Sequence, residues 1–185
     1  MKMMDERLAF IRQAPELVER AVRAGVRETV AAKCLHDRTL AVRDIANIAL
    51  GELDRIIACE PMRLDAVGRH ELTDATVRAA TRFATSPLAR RLQRIPAARF
   101  IVAPHDADIA LVDRHGNAHV VRIEAFDGDV ERVAWMRAHV TCNVALRAPS
   151  LHFFSLRDGT LHSFGAPPIA QTLRAPSVVM PRHAA

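Results

Sequence analysis

Residues 99–126, RFIVAPHDADIALVDRHGNAHVVRIEAF, constrain the fold more than any other stretch, because three short apolar runs follow one another with turn-forming residues between them. Residues 100–103 lead into Pro104, His105 and Asp106. Residues 109–112 lead into Asp113, Arg114, His115, Gly116 and Asn117, and a third run covers residues 119–126. Runs too short for helices and bounded by Gly, Pro, Asn and Asp predict three consecutive strands, with Gly116 supplying a positive backbone angle. Alternation in the third strand puts Val121, Ile123 and Ala125 on one face and Val120, Arg122, Glu124 and Phe126 on the other.

Helical spacing dominates before this stretch. Leu8, Ile11, Val18 and Val22 keep a helical period, with Pro15 expected to open a second segment and Gly25 to close it. Val26, Val30 and Cys34 continue the stripe over a short helix. Asp37 is a candidate cap for a long helix carrying Val42, Ile45, Ala49, Leu53 and Ile56, which Pro61 ends. Residues 62–72 mix charges with Gly68 and show no sustained period, so residues 61–72 read as a linker. A helix is then expected from Thr73 or Asp74 through Val77, Ala80 and Phe83, with Ser86 and Pro87 capping and restarting it until Pro96. After the strands, Asp127, Gly128 and Asp129 turn into a helix bearing Val133, Val140 and Val144 beside Trp135. LHFFSLRDGTLHSF reads as a hairpin around Asp158 and Gly159. The expected organisation is α+β: a helical region over 1–60, the linker 61–72, a core over 73–164, and a Pro-rich, disordered tail over 165–185.

Half of the 185 residues are hydrophobic, enough for a packed core and against disorder. The net charge is +5, and 24 of the 26 basic residues are arginines spread along the whole chain. Basic surfaces attract polyanions, so nucleic acid is the partner this balance suggests, beside the plainer reading of a solvated, salt-bridged surface. The start, MKMMDERLAF, places charges where a signal peptide needs an apolar core, and no apolar run approaches the roughly 18 residues of a bilayer span, so a cytoplasmic protein with no membrane contact is expected. Cys34, Cys59 and Cys142 are too few and too scattered for a disulfide framework, and read as small buried side chains.

From residue 73 the expected order is helix, three strands, helix, two strands. With DADIALVD opening the second strand and VVRIEAF on the third, residues 73–157 resemble the PD-(D/E)xK phosphodiesterases, the restriction-endonuclease-like nucleases, whose core runs helix, three strands, helix, strand. The resemblance implies a restriction-endonuclease-like α-β-β-β-α-β-β core after the helical region. It implies that Asp108, or Asp106 in its stead, takes the place of the first metal-binding aspartate and Glu124 that of the second acid. The two carboxylates would hold Mg²⁺, which prefers oxygen ligands. The ion would activate a water and neutralise charge on a phosphoryl oxygen. Asp108 and Glu124 are therefore the candidate metal ligands, and with Arg122 the candidate catalytic residues. The chain departs from the motif at one point: with Glu124 as the acid, the lysine position is Phe126, and with Glu124 in the lysine's place the acid position holds Arg122. No lysine follows Lys33, and a permanently protonated arginine cannot replace a lysine that exchanges protons. Glu124, Glu131, His119 and His139 are the groups that could compensate.

Each candidate has a plainer role as well. Asp108 could close the turn after Pro104, Arg122 and Glu124 could pair on an exposed face, Asp113 could serve the hairpin turn, and Asp127 and Asp129 could cap a helix. His139 with Cys142, and Cys34 with His36, are too few to hold a structural zinc. Phosphate-loop and nucleophile-elbow patterns are absent, and Phe153 and Phe154 alternate faces, so at most one could stack on a base. Two further classes stand beside the nuclease-like one. IALVDRHGNAHVV resembles the central hairpin of roadblock or PAS modules, which implies a non-enzymatic interaction or sensory domain forming a homodimer through the N-terminal helices. A secretion-system chaperone, with helices flanking strands, ranks last because such chaperones tend to be acidic.

Overall fold

Leu17, Val18, Ala21, Val22, Val26 and Val30 recur every three or four residues, and in the computed structural model they form the buried stripe of one helix, α1 (Lys2–His36). The structure describes residues 2–36, 38–59, 64–103, 107–125 and 150–164. Helix α1 runs unbroken through Pro15 and Gly25, where the sequence predicts two breaks. An interior proline removes one helical hydrogen bond. Here Phe10, Ala14, Leu17 and Val18 all pack into one core on either side of it, and that burial outweighs the lost bond. Gly25 is a contact point and not a terminator: a Cβ there would lie 2.6 Å from the Ile45 carbonyl oxygen. Its missing side chain lets α1 cross closely over α2 (Val42–Cys59), which buries Ile45, Ala49, Leu53, Ile56 and Ile57.

Helix α3 (Ala66–Thr85) starts seven residues before Thr73, inside the expected linker. The Asp65 carboxylate accepts from the Gly68 N–H at 2.7 Å, a side-chain cap that satisfies one of the unpaired donors of the first turn. Gly68 is buried in that turn, where a Cβ would lie 3.2 Å from Asp65 Oδ1 and 3.5 Å from the Phe10 ring. Asp37 lies outside the described residues, and α2 begins only at Val42. Ser86 ends α3 and caps α4 (Pro87–Arg94), with its Oγ accepting from the Ala89 N–H at 3.1 Å, as the Ser-Pro pair predicts. Leu88, Ala89 and Leu92 hold α4 to the core.

The five strands are β1 (Phe100–Ile101), β2 (Ile109–Val112), β3 (Ala118–Glu124), β4 (Ser150–Ser155) and β5 (Leu161–Phe164), in the spatial order β1-β2-β3-β4-β5. All neighbours are antiparallel except β3 and β4. A parallel pair needs a crossover, and the connecting residues 126–149, with the helix expected there, lie outside the described residues, as does the tail 165–185. The chain is thus α+β, with helices first and a mixed sheet after them.

Alternation sorts the sheet. Ile109, Leu111, Val121, Ile123 and Phe154 join the helices' core, while Ala110, Val120, Leu151 and Phe153 form a smaller cluster on the reverse face. Phe153 and Phe154 face opposite ways as expected, and both are fully buried, so neither offers a stacking platform. Cys34 is half-buried and Cys59 exposed, so neither is the core residue that composition suggests. No described helix is long and apolar enough to cross a membrane.

Asp113 ties the β2–β3 turn, as its place in the sequence suggests. Its Oδ1 accepts from the backbone N–H groups of His115 and Asn117 at 2.8 and 2.9 Å, and its Oδ2 from Asn117 Nδ2 at 2.9 Å, with Gly116 at φ 83° completing the turn. Burial works against the anion, but these donors and His119 outweigh it and hold the Asp113 pKa at about 2, below its ordinary 3.8. A folded-state pKa below the unfolded one gives stability that is present above pH 3.8 and is lost as pH falls toward 2. Urea midpoints should therefore drop across that window, and Asp113→Ala should flatten the drop. Among the glycines, Gly25→Ala should destabilise by about 1–3 kcal/mol through overpacking. Gly51→Ala, with no atom within 4 Å of the new Cβ, should stabilise by about 0.5–1 kcal/mol in the same urea assay.

Candidate functional site

Glu19, Arg23 and Arg27 stand four residues apart, so they form one row along α1 beside its apolar stripe. That row meets the sheet where β2 begins and β3 ends, two points brought together by antiparallel pairing. Arg23 Nε donates to both oxygens of Asp108, at 2.9 and 3.1 Å, and Arg27 Nε donates to Oδ1 at 2.7 Å. The Ile123 backbone N–H donates to Oδ2 at 2.7 Å. The register Ile109↔Val121 extends to residue 107 opposite Ile123, so the carboxylate takes a donor that the ladder would otherwise hold. Two residues further on, the Ala125 N–H donates to Glu19 Oε2 at 2.8 Å, and Arg23 Nη1 lies 3.5 Å from Glu19 Oε1.

The electrostatics oppose one another. The Asp108 side chain has no exposed surface, while those of Arg23 and Arg27 are 14% and 45% exposed. Burial pushes the Asp108 pKa above the ordinary aspartate value, and Arg23, the Ile123 N–H and Arg27 pull it back. Burial likewise raises Glu19, against the Ala125 N–H, Arg23 and Arg122.

Of the residues expected to act, Asp108 and Glu124 do come to the same end of neighbouring strands. Glu124 is buried and Arg122 half-buried, so the face they share is not the exposed one that the alternation allows. Asp106, Glu131 and His139 lie outside the described residues. His119 lies nearer the opposite end of β3, against Asp113 and His152. Glu19, Arg23 and Arg27 escaped the sequence reading altogether. Their i, i+4, i+8 spacing was visible, but such a row looks the same whether it faces solvent or a sheet.

Beside Asp108 opens a cleft of about 650 Å³ between α1 and the β1–β2 edge, walled by Val30, Cys34, Phe100, Ile101 and Arg27. It is mostly apolar and bordered by Val102, which is 94% exposed. No family model matches the chain, and no curated protein or solved structure is similar to it.

The arrangement does not fit a resident Mg²⁺. Both Asp108 oxygens are taken by guanidinium and amide donors, and among the described residues no three His, Cys, Asp or Glu side chains converge as ligands. What the carboxylate does is anchor α1 to the sheet. Removing it takes from Arg23, Arg27 and the Ile123 N–H the buried acceptor they share, so Asp108→Ala should cost about 3–5 kcal/mol by urea denaturation. Arg27→Ala, at the more exposed partner, should cost markedly less.

Proposed function

We propose that this chain is a divergent nuclease-like protein that binds nucleic acid through arginines, with its acidic site turned to structural use. The observation that carries the proposal is an arginine-rich stretch of the chain that contains no acid and presents exposed guanidinium groups from α4. Between Asp74 and Asp106 the sequence holds six arginines and no Asp or Glu. Arg78 pairs with Asp74, and Arg82 donates to the Leu156 and Arg157 carbonyls. Arg90 and Arg94 are exposed one turn apart on α4, and Arg91 and Arg99 are half-buried near them. None of these four has an ion pair or hydrogen-bonded side chain among the described residues. Leu88 and Leu92 dock the opposite side of α4, so the exposed guanidinium groups project from a fixed platform. Arginine binds phosphate oxygens in a bidentate fork and stays charged at every physiological pH.

The nuclease-like part of the proposal draws on element order. A helix precedes an antiparallel three-strand meander, and the chain returns to the sheet beside β3 as a parallel strand. In an active member a cation would meet the acid that opens the second strand; here Arg23 and Arg27 supply positive charge to Asp108 instead.

Fluorescence anisotropy with duplex DNA and RNA probes between 50 and 200 mM salt tests the binding. Affinity should fall steeply with salt. Arg90→Gln with Arg94→Gln should weaken it on every sequence and reduce the logarithmic salt slope by about one for each lost phosphate contact. Absence of binding at low salt would sink the proposal. Mg²⁺-dependent cleavage that Asp108→Asn abolishes without unfolding would restore the hydrolytic form, with Mg²⁺ on Asp108 and Glu124.

A further inference from the structure

A second polar constellation crosses the helix-facing side of the sheet, nearer its other end, where the nucleic-acid reading makes no use of it. Asp113, His119, His152 and Ser163 come from β2's end, β3, β4 and β5, one per strand, in a row. Their contacts are continuous: His119 Nε2 to Asp113 Oδ2 at 3.5 Å, His119 Nδ1 to His152 Nε2 at 3.2 Å, and His152 Nδ1 to Ser163 Oγ at 2.9 Å. The imidazole rings meet edge to edge, with 5.5 Å between centroids and 28° between their planes. Asp113, His119 and His152 are buried and Ser163 is exposed.

With both imidazoles neutral and Asp113 an anion, one arrangement of protons satisfies this row. Asp113 is an anion and can only accept, so His119 carries its proton on Nε2 and leaves Nδ1 as a lone pair. The contact to His152 then requires a proton on His152 Nε2, which leaves Nδ1 free to accept the Ser163 hydroxyl. The opposite tautomers would turn the bare Nε2 of His119 toward a carboxylate. The row therefore runs hydroxyl, base, second imidazole, anion: the order that activates a serine, with an extra histidine between base and acid.

We propose that Ser163 is a nucleophile toward carboxylic esters, with His152 as its base and His119 and Asp113 as positioning residues. Ser163 Oγ would attack the ester carbonyl, its proton passing to His152 Nδ1. The C–O bond to the alcohol breaks, the alcohol takes that proton and leaves, and water then releases the acid from the acyl serine. The positive charge formed on His152 spreads through Nε2–H toward His119 and is stabilised by Asp113. Burial, and then His119, hold the resting His152 well below its ordinary value, at about 3, so it rests neutral and is a weaker base than an ordinary imidazole.

The hairpin carries its own control. Thr160 Oγ1 lies 2.9 Å from His162 Nε2 and 2.7 Å from Asp158 Oδ1, but the Thr160 and His162 side chains are exposed and His162 makes no hydrogen bond to a second imidazole or a carboxylate among the described residues. Treating the full chain with p-nitrophenyl acetate and mapping acetyl groups by peptide mass spectrometry should place the modification on Ser163 and not on Thr160. Ser163→Ala should abolish it, and His152→Gln should slow it about a hundredfold. His119→Asn, whose Oδ1 can accept from His152 Nε2, should retain more of the rate than His119→Ala. Absence of acetyl on Ser163, acetylation of Thr160 at an equal rate, or a rate unchanged in His152→Gln would each overturn the proposal. The comparison of Ser163 with Thr160 needs only the intact protein, so it decides even where a buried-histidine variant fails to fold.

Discussion

The carboxylate of Asp108 is the point at which the helical part of this protein is fastened to its sheet. Two guanidinium groups from α1 and one amide from β3 converge on an aspartate side chain with no exposed surface. Desolvating an anion is costly, and the cost is tolerable here only because each oxygen has donors in good geometry. The apolar core that α1 shares with β2, β3 and β4 supplies most of the attraction between the layers, but it is not directional. The Asp108 joint sets the height of α1 against the strands, and Glu19 on the Ala125 N–H repeats that setting one turn away.

The helix-facing side of the sheet consequently has a dry middle and polar ends. Ile109, Leu111, Val121, Ile123 and Phe154 fill the middle. One end holds the acid–arginine joint, and the row of Asp113, His119, His152 and Ser163 lies toward the other. Alternation forces this layout: once Val121 and Ile123 face the helices, His119 must face them too, and it then needs a partner away from water. His152 and Asp113 meet that need.

Charge is distributed by a different logic. Arg23 and Arg27 are consumed inside the fold, whereas Arg90 and Arg94 stand on α4 with their backs to Leu88 and Leu92. A net charge of +5 therefore says little by itself; what bears on a polyanionic partner is that some arginines are paired with carboxylates and others have no such pair among the described residues. The acid at the start of β2 is where the nuclease resemblance is most specific, and it is also where the local chemistry differs most from a metal site. In the proposed function binding and hydrolysis thus separate: the first would depend on α4, the second on whether Asp108 can be released from its arginines.

Local patterns were enough for the strands, the turns and the caps. Period-two alternation, the Asp113 and Gly116 turn, the Asp-Gly hairpin and the Ser86-Pro87 junction were all legible because each depends on residues within a few positions of one another. Helix boundaries were less so: Pro15, Gly25 and Gly68 look like breaks in isolation, and only the packing of Phe10, Ile45 and Leu64 against them shows why the helices continue. The fate of Asp108 was beyond the sequence altogether, since its partners lie 81 and 85 residues away and a charged row on a helix does not announce what it will face. Residue chemistry and spacing determined which groups could ionise, bond or pack; the crossing of α1 over the sheet decided which of them met, because burial and charge pairing are properties of the assembled layers.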